Sequence, residues 1–184
     1  MSIRIDIGRG KILYADPFLQ ETVFRRSVIV LTDHSENGTM GLIINKKLDI
    51  RLNQLIREEL KTDMDVYLGG PVGQNSLFYL HNQGMSIPDS QPVADEWYFG
   101  GDFEVLRDKI DHQLVGPNDV RFFVGYTGWG ETQLETEIRE ESWVIDSQKL
   151  SLILKQQESW QKKMISLGDK YALWGTFPEG PFLN

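Results

Sequence analysis

Three short apolar runs in this chain stop on glycine, and that repetition restricts the fold more than any other feature. They are "DVYLGGPV" at 65–72, "EWYFGGDF" at 96–103 and the looser "FFVGYTGWG" at 122–130. Each is strand-sized and carries aromatic and aliphatic side chains. Each ends where a residue without a Cβ can turn, or can let another backbone approach, at no steric cost. Strands of this kind call for three close approaches or positive-φ corners. Helical patterns separate some of the strands and tight turns separate others, which favours an α+β domain over a doubly wound parallel sheet.

The rest of the chain fits that class. Ile3, Ile5 and Ile7 alternate with polar residues as an opening strand, and "KILYAD" is a second, stopped at Asp16-Pro17. "VFRRSVIVLTDH" and "TMGLIINKKL" flank "SENG", whose Asn37-Gly38 pair suits a hairpin turn. "RLNQLIREEL" places Leu52, Leu55, Ile56 and Leu60 on one helical face. "MDVYL" and "SLFYLHN" are expected as neighbouring strands, and 83–94 as a surface loop. Asp102 is a cap for a helix with the stripe Val105, Leu106, Ile110 and Leu114. After the strand "SWVID", Ser147 would cap a long helix that Gly168 ends, and "DKYALWGTFPEGPFLN" would lie against the body as a loop. No linker divides the 184 residues, so one compact domain over 1–184 is expected, large enough to bury roughly 70% of its unfolded surface.

Composition removes several kinds of chemistry. There is no cysteine, hence no thiol nucleophile, thiolate metal site or disulfide framework. His34, His81 and His112 have no metal-binding spacing, so no metal and no cofactor is expected. The net charge of −8 repels a polyanion, and the densest basic features, Arg25-Arg26, Lys46-Lys47 and Lys162-Lys163, do not interleave with aromatics. Nucleic acid is therefore a disfavoured partner. The apolar runs are too short to span a membrane, and the amino terminus lacks a signal-like apolar core, which predicts a cytoplasmic protein.

Gly125, Gly128 and Gly130 give G-x-x-G-x-G, the reverse of the dinucleotide fingerprint, and five glutamates crowd the helix that follows. Both counts argue against a phosphate cradle. "TQLE" fits a capping box between Thr132 and Glu135, and Trp129 either plugs a core or lines a pocket with Gln133. His81 has a bland reading as a satisfied structural imidazole, Asp102 as a helix cap, and Glu135 as a capping-box acid. Asn45 would end its strand in a turn conformation.

Taken together, "GKILYADP", "FRRSVIVLTDHSENGTMGLIIN", "VYLGGPV" with "LFYLH", "FGGD", "GYTGWGETQLETEI", "SW" and "SWQKKMISLG" resemble the YqgE/AlgH family of uncharacterised bacterial proteins and regulators. The resemblance implies a coiled, partly split mixed or antiparallel sheet packed with short helices, and no established enzymatic activity. It also implies a helix break near Lys155–Glu158, and an association with transcriptional control. The tail after Gly168 departs from the better-known proteobacterial members of that family.

The expected function is a non-enzymatic accessory or regulatory protein that binds a protein partner or small ligand. If the glycine corners cluster, its surface comprises Gly69, Gly70, Pro71, Val72, His81, Gly101, Asp102, Trp129, Gln133 and Glu135. One alternative is a hydrolase-type enzyme using His81, Asp102 or Glu135. Another is a DNA-binding regulator, which the acidic charge disfavours.

Overall fold

The computed structural model describes residues 6–19, 21–57, 59–156 and 160–176. Its strands are β1 (Ile12–Ala15), β2 (Val28–Ser35), β3 (Gly38–Ile43), β4 (Lys47–Arg51), β5 (Asp65–Leu68), β6 (Val72–His81), β7 (Gln91–Ala94), β8 (Trp97–Phe99), β9 (Val120–Trp129) and β10 (Trp143–Asp146). The helices are α1 (Leu52–Ile56), α2 (Phe103–Asp111), α3 (Gln133–Arg139), α4 (Leu150–Gln156), α5 (Trp160–Leu167) and α6 (Asp169–Thr176). The strands form one sheet in the order β10-β1-β2-β3-β9-β6-β8-β7, with β4 and β5 branching off. All pairs are antiparallel except β5 with β9. The fold is the α+β class that the glycine-ended strands predicted.

The split in the sheet lies along β9. One edge of β9 pairs with β5 at Phe122–Val124 and then with β3 at Thr127–Trp129, while β6 takes the other edge. β9 therefore stands between β5 and β6, which the sequence suggested as direct neighbours. The link between them must pass over β9, and Gly69-Gly70 makes that crossing at Gly125. A Cβ on Gly69 would lie 2.1 Å from the Gly125 carbonyl oxygen, and one on Gly70 2.2 Å from the Tyr126 carbonyl carbon. Gly125 itself has φ 71° inside β9, where it breaks the alternation of faces. Phe123 and Tyr126 consequently pack on the same core although they are three residues apart.

Alternation elsewhere sorts the side chains into three cores. Ile12, Tyr14, Val28, Val30, Leu42 and Ile44 meet Leu150, Ile153, Trp160 and Met164 from α4 and α5. Val93, Trp97 and Leu80 join the same cluster from the far end of the sheet, so the sheet coils around it. The two ends come close: the Arg9 guanidinium donates to the Pro92 carbonyl (3.4 Å) and Gly10 lies against Ala94. On the opposite face, α1 and α2 cover Val66, Phe122 and Val120, and α3 covers Leu13, Ile29, Leu31 and Ile43. Trp160 Nε1 donates to the Ala15 carbonyl (2.6 Å), fixing α5 across the end of β1.

Several local expectations change. Residues 1–5 of the proposed opening strand lie outside the described residues, and Ile7 is not in a strand. α1 stops after Ile56 because Arg57 is left-handed (φ 57°), although Leu60 still reaches the core. The expected loop at 83–94 contains a 3₁₀ turn, Gly84–Ser86, and β7. Leu114 lies beyond α2 and is 69% exposed, so it leaves the predicted stripe. Ser147 precedes α4 by three residues and accepts from Lys11 Nζ (2.9 Å) rather than capping the helix. The carboxy-terminal helical pattern divides into α4 and α5, as the family resemblance implied; residues 157–159 lie outside the described residues. Gly168 ends α5 with φ 68°, and 169–176 form α6 instead of a loop; 177–184 lie outside the described residues. Asn45 bridges two segments, accepting from Val28 N (2.8 Å) and donating to the Arg26 carbonyl (2.9 Å), with no positive φ.

Candidate functional site

The residues proposed as one surface fall into three neighbourhoods strung along β9. Gly69, Gly70, Pro71 and Val72 form the crossing at Gly125, where Val72 pairs with Tyr126. His81 pairs with Val120 at the start of β9, and Gly101 and Asp102 lie next to it beyond β8. Trp129, Gln133 and Glu135 are at the other end. Nine residues of strand, roughly 30 Å at the usual rise, separate the level of His81 from Trp129. The crossing lies between the two, so the three corners do not form one site.

His81 is fully buried. Its Nδ1 accepts from the Gln83 backbone N–H (3.2 Å), which places the ring proton on Nε2. Nε2 then donates toward the Gly100 carbonyl and Ser90 Oγ, each at 3.0 Å. Ser90 Oγ in turn donates to the Ile87 carbonyl (2.8 Å). A serine beside a histidine resembles a nucleophile with its base, but here Nε2 is already protonated and cannot take the hydroxyl proton. Burial pulls the His81 pKa below the usual imidazole value, against the opposing hydrogen bond to Gly100.

The neighbours of His81 are equally engaged. Asp102 Oδ1 accepts from Glu104 N (2.9 Å) and Val105 N (3.2 Å), the cap predicted for α2. Tyr79 donates to the Gly101 carbonyl. Burial, with the Asp102 charge adding to it, pushes the Tyr79 phenol up to about 12. Gly101 has φ 108°, and a Cβ there would lie 2.5 Å from Ser90 Oγ.

The "glycine turn" is the last part of β9, not a loop. Thr132 is left-handed (φ 57°) and makes no side-chain cap, so the expected capping box with Glu135 is absent. Gln133 Oε1 accepts from Gly130 N (3.0 Å) in its place. Glu135 is half-buried and forms no side-chain hydrogen bond among the described residues. The residues missing from the sequence reading are Glu137 and Trp143. Both indoles, Trp129 Nε1 and Trp143 Nε1, donate to Glu137 Oε2 at 2.8 Å, and Gln133 Nε2 donates to Glu137 Oε1 at 2.8 Å. The rings meet edge to face, 5.8 Å apart at 84°. This clamp fastens α3 to the sheet. Its one signal in the sequence is the four-residue spacing of Gln133 and Glu137 on a helix.

At least four of the six flagged cations are engaged. Lys46 Nζ donates to the Val23 carbonyl (2.5 Å), Lys47 pairs with Asp65 (2.9 Å), Lys163 pairs with Asp146, and the Arg26 guanidinium lies over Trp160 (5.2 Å). Among the described residues no group of three or more His, Cys, Asp or Glu could hold a metal ion. No helix of the described residues is long and apolar enough to cross a membrane.

The AlgH-like family model, DUF179, matches residues 12–172. The chain belongs to the AlgH-like family. It is 40% identical over 181 residues to a UPF0301 protein of Cytophaga hutchinsonii, covering 97% of this chain and 100% of that one. It is also 40% identical over 180 residues to a UPF0301 protein of Bacteroides fragilis, covering 96% of this chain and 91% of that one. The AlgH-like fold recurs in a Corynebacterium diphtheriae crystal structure, with TM-score 0.74, 23% identity, and 95% and 94% of the two chains covered. It recurs again in the solution structure of the AlgH protein of Pseudomonas aeruginosa, with TM-score 0.70, 24% identity, and 94% and 95% coverage.

Proposed function

We propose that this AlgH-like chain is a non-enzymatic accessory or regulatory protein that acts by binding a protein partner. The observation that carries the reading is His81. It is the residue best suited to proton transfer, yet it is buried, its tautomer is fixed by Gln83, and its neighbour Ser90 is turned to a carbonyl. Asp102 caps a helix, and Glu135 belongs to the opposite end of β9. A hydrolase needs these groups to converge on a common point in a cleft. Regulation by direct DNA contact finds no support either, with the net charge at −8 and Lys46, Lys47, Lys163 and Arg26 engaged by a carbonyl, carboxylates and a ring.

The test is turnover. The purified protein is assayed with chromogenic esters, phosphoesters, peptides and glycosides, next to His81→Gln and Asp102→Asn variants shown by circular dichroism to be folded. The reading expects no hydrolysis above the level of those variants. Turnover by the wild type that either folded variant abolishes would replace it with the enzyme.

A further inference from the structure

β6 is a long strand with a short neighbour. β8 pairs with it at Leu80 and His81, and Gly100 N donates to the Tyr79 carbonyl (3.0 Å) as the last rung. Beyond that rung Gly100 and Gly101 take φ 65° and 108°, and Asp102 leaves to cap α2, its N–H donating to the Pro88 carbonyl (2.8 Å). Backbone groups of an antiparallel strand point to alternate sides, so the bond at the Tyr79 carbonyl sets the Leu77 N–H and C=O toward the same, open edge. Among the described residues they have no partner there. Residues 73–76 then leave the ladder with β9, where Gly125 alone stands opposite them. Sheets ordinarily protect such an edge with charge or proline. The edge strand β7 follows that rule: it carries Pro92, and Arg9 donates to the carbonyl of that residue. Residues 72–81 contain neither a charge nor a proline.

The face beside this edge is aromatic and half-buried. Phe78 stacks on Phe99 (6.2 Å, 14°) and meets Tyr126 edge-on (5.6 Å, 73°). The Tyr126 ring has room because Gly73 and Gly128 lack side chains; a Cβ on either would lie 3.3 Å from it. Val72, opposite Tyr126, is 43% exposed. Charge is missing from this whole region. Residues 66–88 contain no Asp, Glu, Lys or Arg, although the chain is 25% charged. Arg121, two residues before Phe123 on β9, is held by the Ile44 and Leu154 carbonyls (2.9 and 3.1 Å). Aromatic enrichment with depletion of charge is the composition of an interface centre.

We infer that the open edge of β6 at Leu77 takes an extended, uncharged segment of a partner polypeptide as an added strand, with an apolar side chain of that segment lying against Phe78, Phe99 and Tyr126. The inference rests on the binding-protein reading and names its surface. Backbone hydrogen bonds at Leu77 supply the attachment and the aromatic face supplies the selectivity, as in other cases of strand addition. A charged side chain would lose its water here and gain no counter-charge, so the segment that fits is uncharged. A second copy of this chain is the poorer occupant, since each copy carries a net charge of −8 and the two repel. With no ion pair to form, this association is insensitive to salt, unlike one steered by charge.

The experiment replaces Ser76, exposed next to Leu77, with a photocrosslinking phenylalanine analogue in the full chain, irradiates the cells that make it, and sequences the captured peptides by mass spectrometry. The same analogue at Leu114, 69% exposed beyond α2, is the positional control. The expected result is capture at position 76 of a partner segment without charged residues. In lysate that capture should change by less than about twofold between low and high salt. It should fall about tenfold when Val72→Ser and Gln74→Lys are combined, both at exposed positions, because a lysine guards an edge against pairing. Circular dichroism and the thermal midpoint confirm that the double variant is folded. Capture at position 76 that survives the double variant, fades with salt, or yields a charged segment, a segment of this chain or a second copy of it overturns the inference. Capture at position 114 alone also overturns it while leaving the binding-protein reading in place. No capture at either position counts against both.

Discussion

A methyl group on Gly70 would lie 2.2 Å from the Tyr126 carbonyl carbon, and one on Gly125 would lie 2.4 Å from the Gly70 carbonyl oxygen. Both clashes are with backbone, which cannot rotate away. We expect Gly70→Ala and Gly125→Ala each to lower stability by ~3 kcal/mol or more in urea unfolding, whereas Gly8→Ala, with no atom within 4 Å, should stay within ~0.5 kcal/mol. The glutamate clamp is the second test at this scale. Glu137→Ala leaves two buried indole N–H groups without an acceptor and should cost about 2–4 kcal/mol, while Glu137→Gln, which keeps one oxygen, should cost less. Residue roles that depend on local chain geometry were legible in the sequence: Asp102 caps, and Gly168 terminates. Roles set by tertiary contacts were not. Nothing adjacent to Glu137 announces that Trp129 and Trp143 will share it, and Thr132 yields its cap to Gln133 because the end of β9 leaves Gly130 N facing that amide.

At the scale of elements, the β6–3₁₀–β7–β8 segment is held by one imidazole. His81 bonds to the Gln83 amide, the Ser90 hydroxyl and the Gly100 carbonyl at once. Its pKa is lowered in the folded protein, so between that lowered value and the ordinary one near 6.5 the unfolded chain binds the proton that the folded chain refuses. This stability is therefore complete above about pH 6.5 and is lost as the pH falls below it. The urea midpoint should drop between pH 7.5 and 5.5, and His81→Gln should flatten that slope while lowering the midpoint at pH 7.5. The elements legible in advance were those with strong local patterns, the strands of β5, β8 and β9 and the β2–β3 hairpin, although its turn falls at Glu36-Asn37, one residue before the expected Asn37-Gly38, and Gly38 opens β3. α1 fell short of its amphipathic pattern because Arg57 turns left-handed, and the remaining apolar residues still reach the second core without helix. β7 was hidden among prolines and polar residues, since its strand character comes from pairing at the sheet edge with β8.

For the whole molecule, β9 is the axis: β3, β5 and β6 all pair with it and all three cores touch it. Native-state hydrogen exchange should find the amides of 122–124 opening only with global unfolding, and those of β7 opening earlier. The class, the single sheet with its split and the family were legible from sequence, because many short motifs agreed on one order of elements. The dispersal of the candidate residues was not legible, since "GGPV" and "FGGD" look alike as strings while one crosses β9 near its middle and the other packs beside its start. The groups that looked reactive hold the sheet together, and His81 is the sharpest instance. Nitrogen-15 chemical shifts of the His81 ring, followed by NMR from pH 8 to pH 5.5, measure this directly. The account predicts a neutral ring with its proton on Nε2 at pH 8, and a titration displaced to lower pH than that of an ordinary imidazole. A ring that carries its proton on Nδ1, or that titrates at or above pH 6.5, would contradict it.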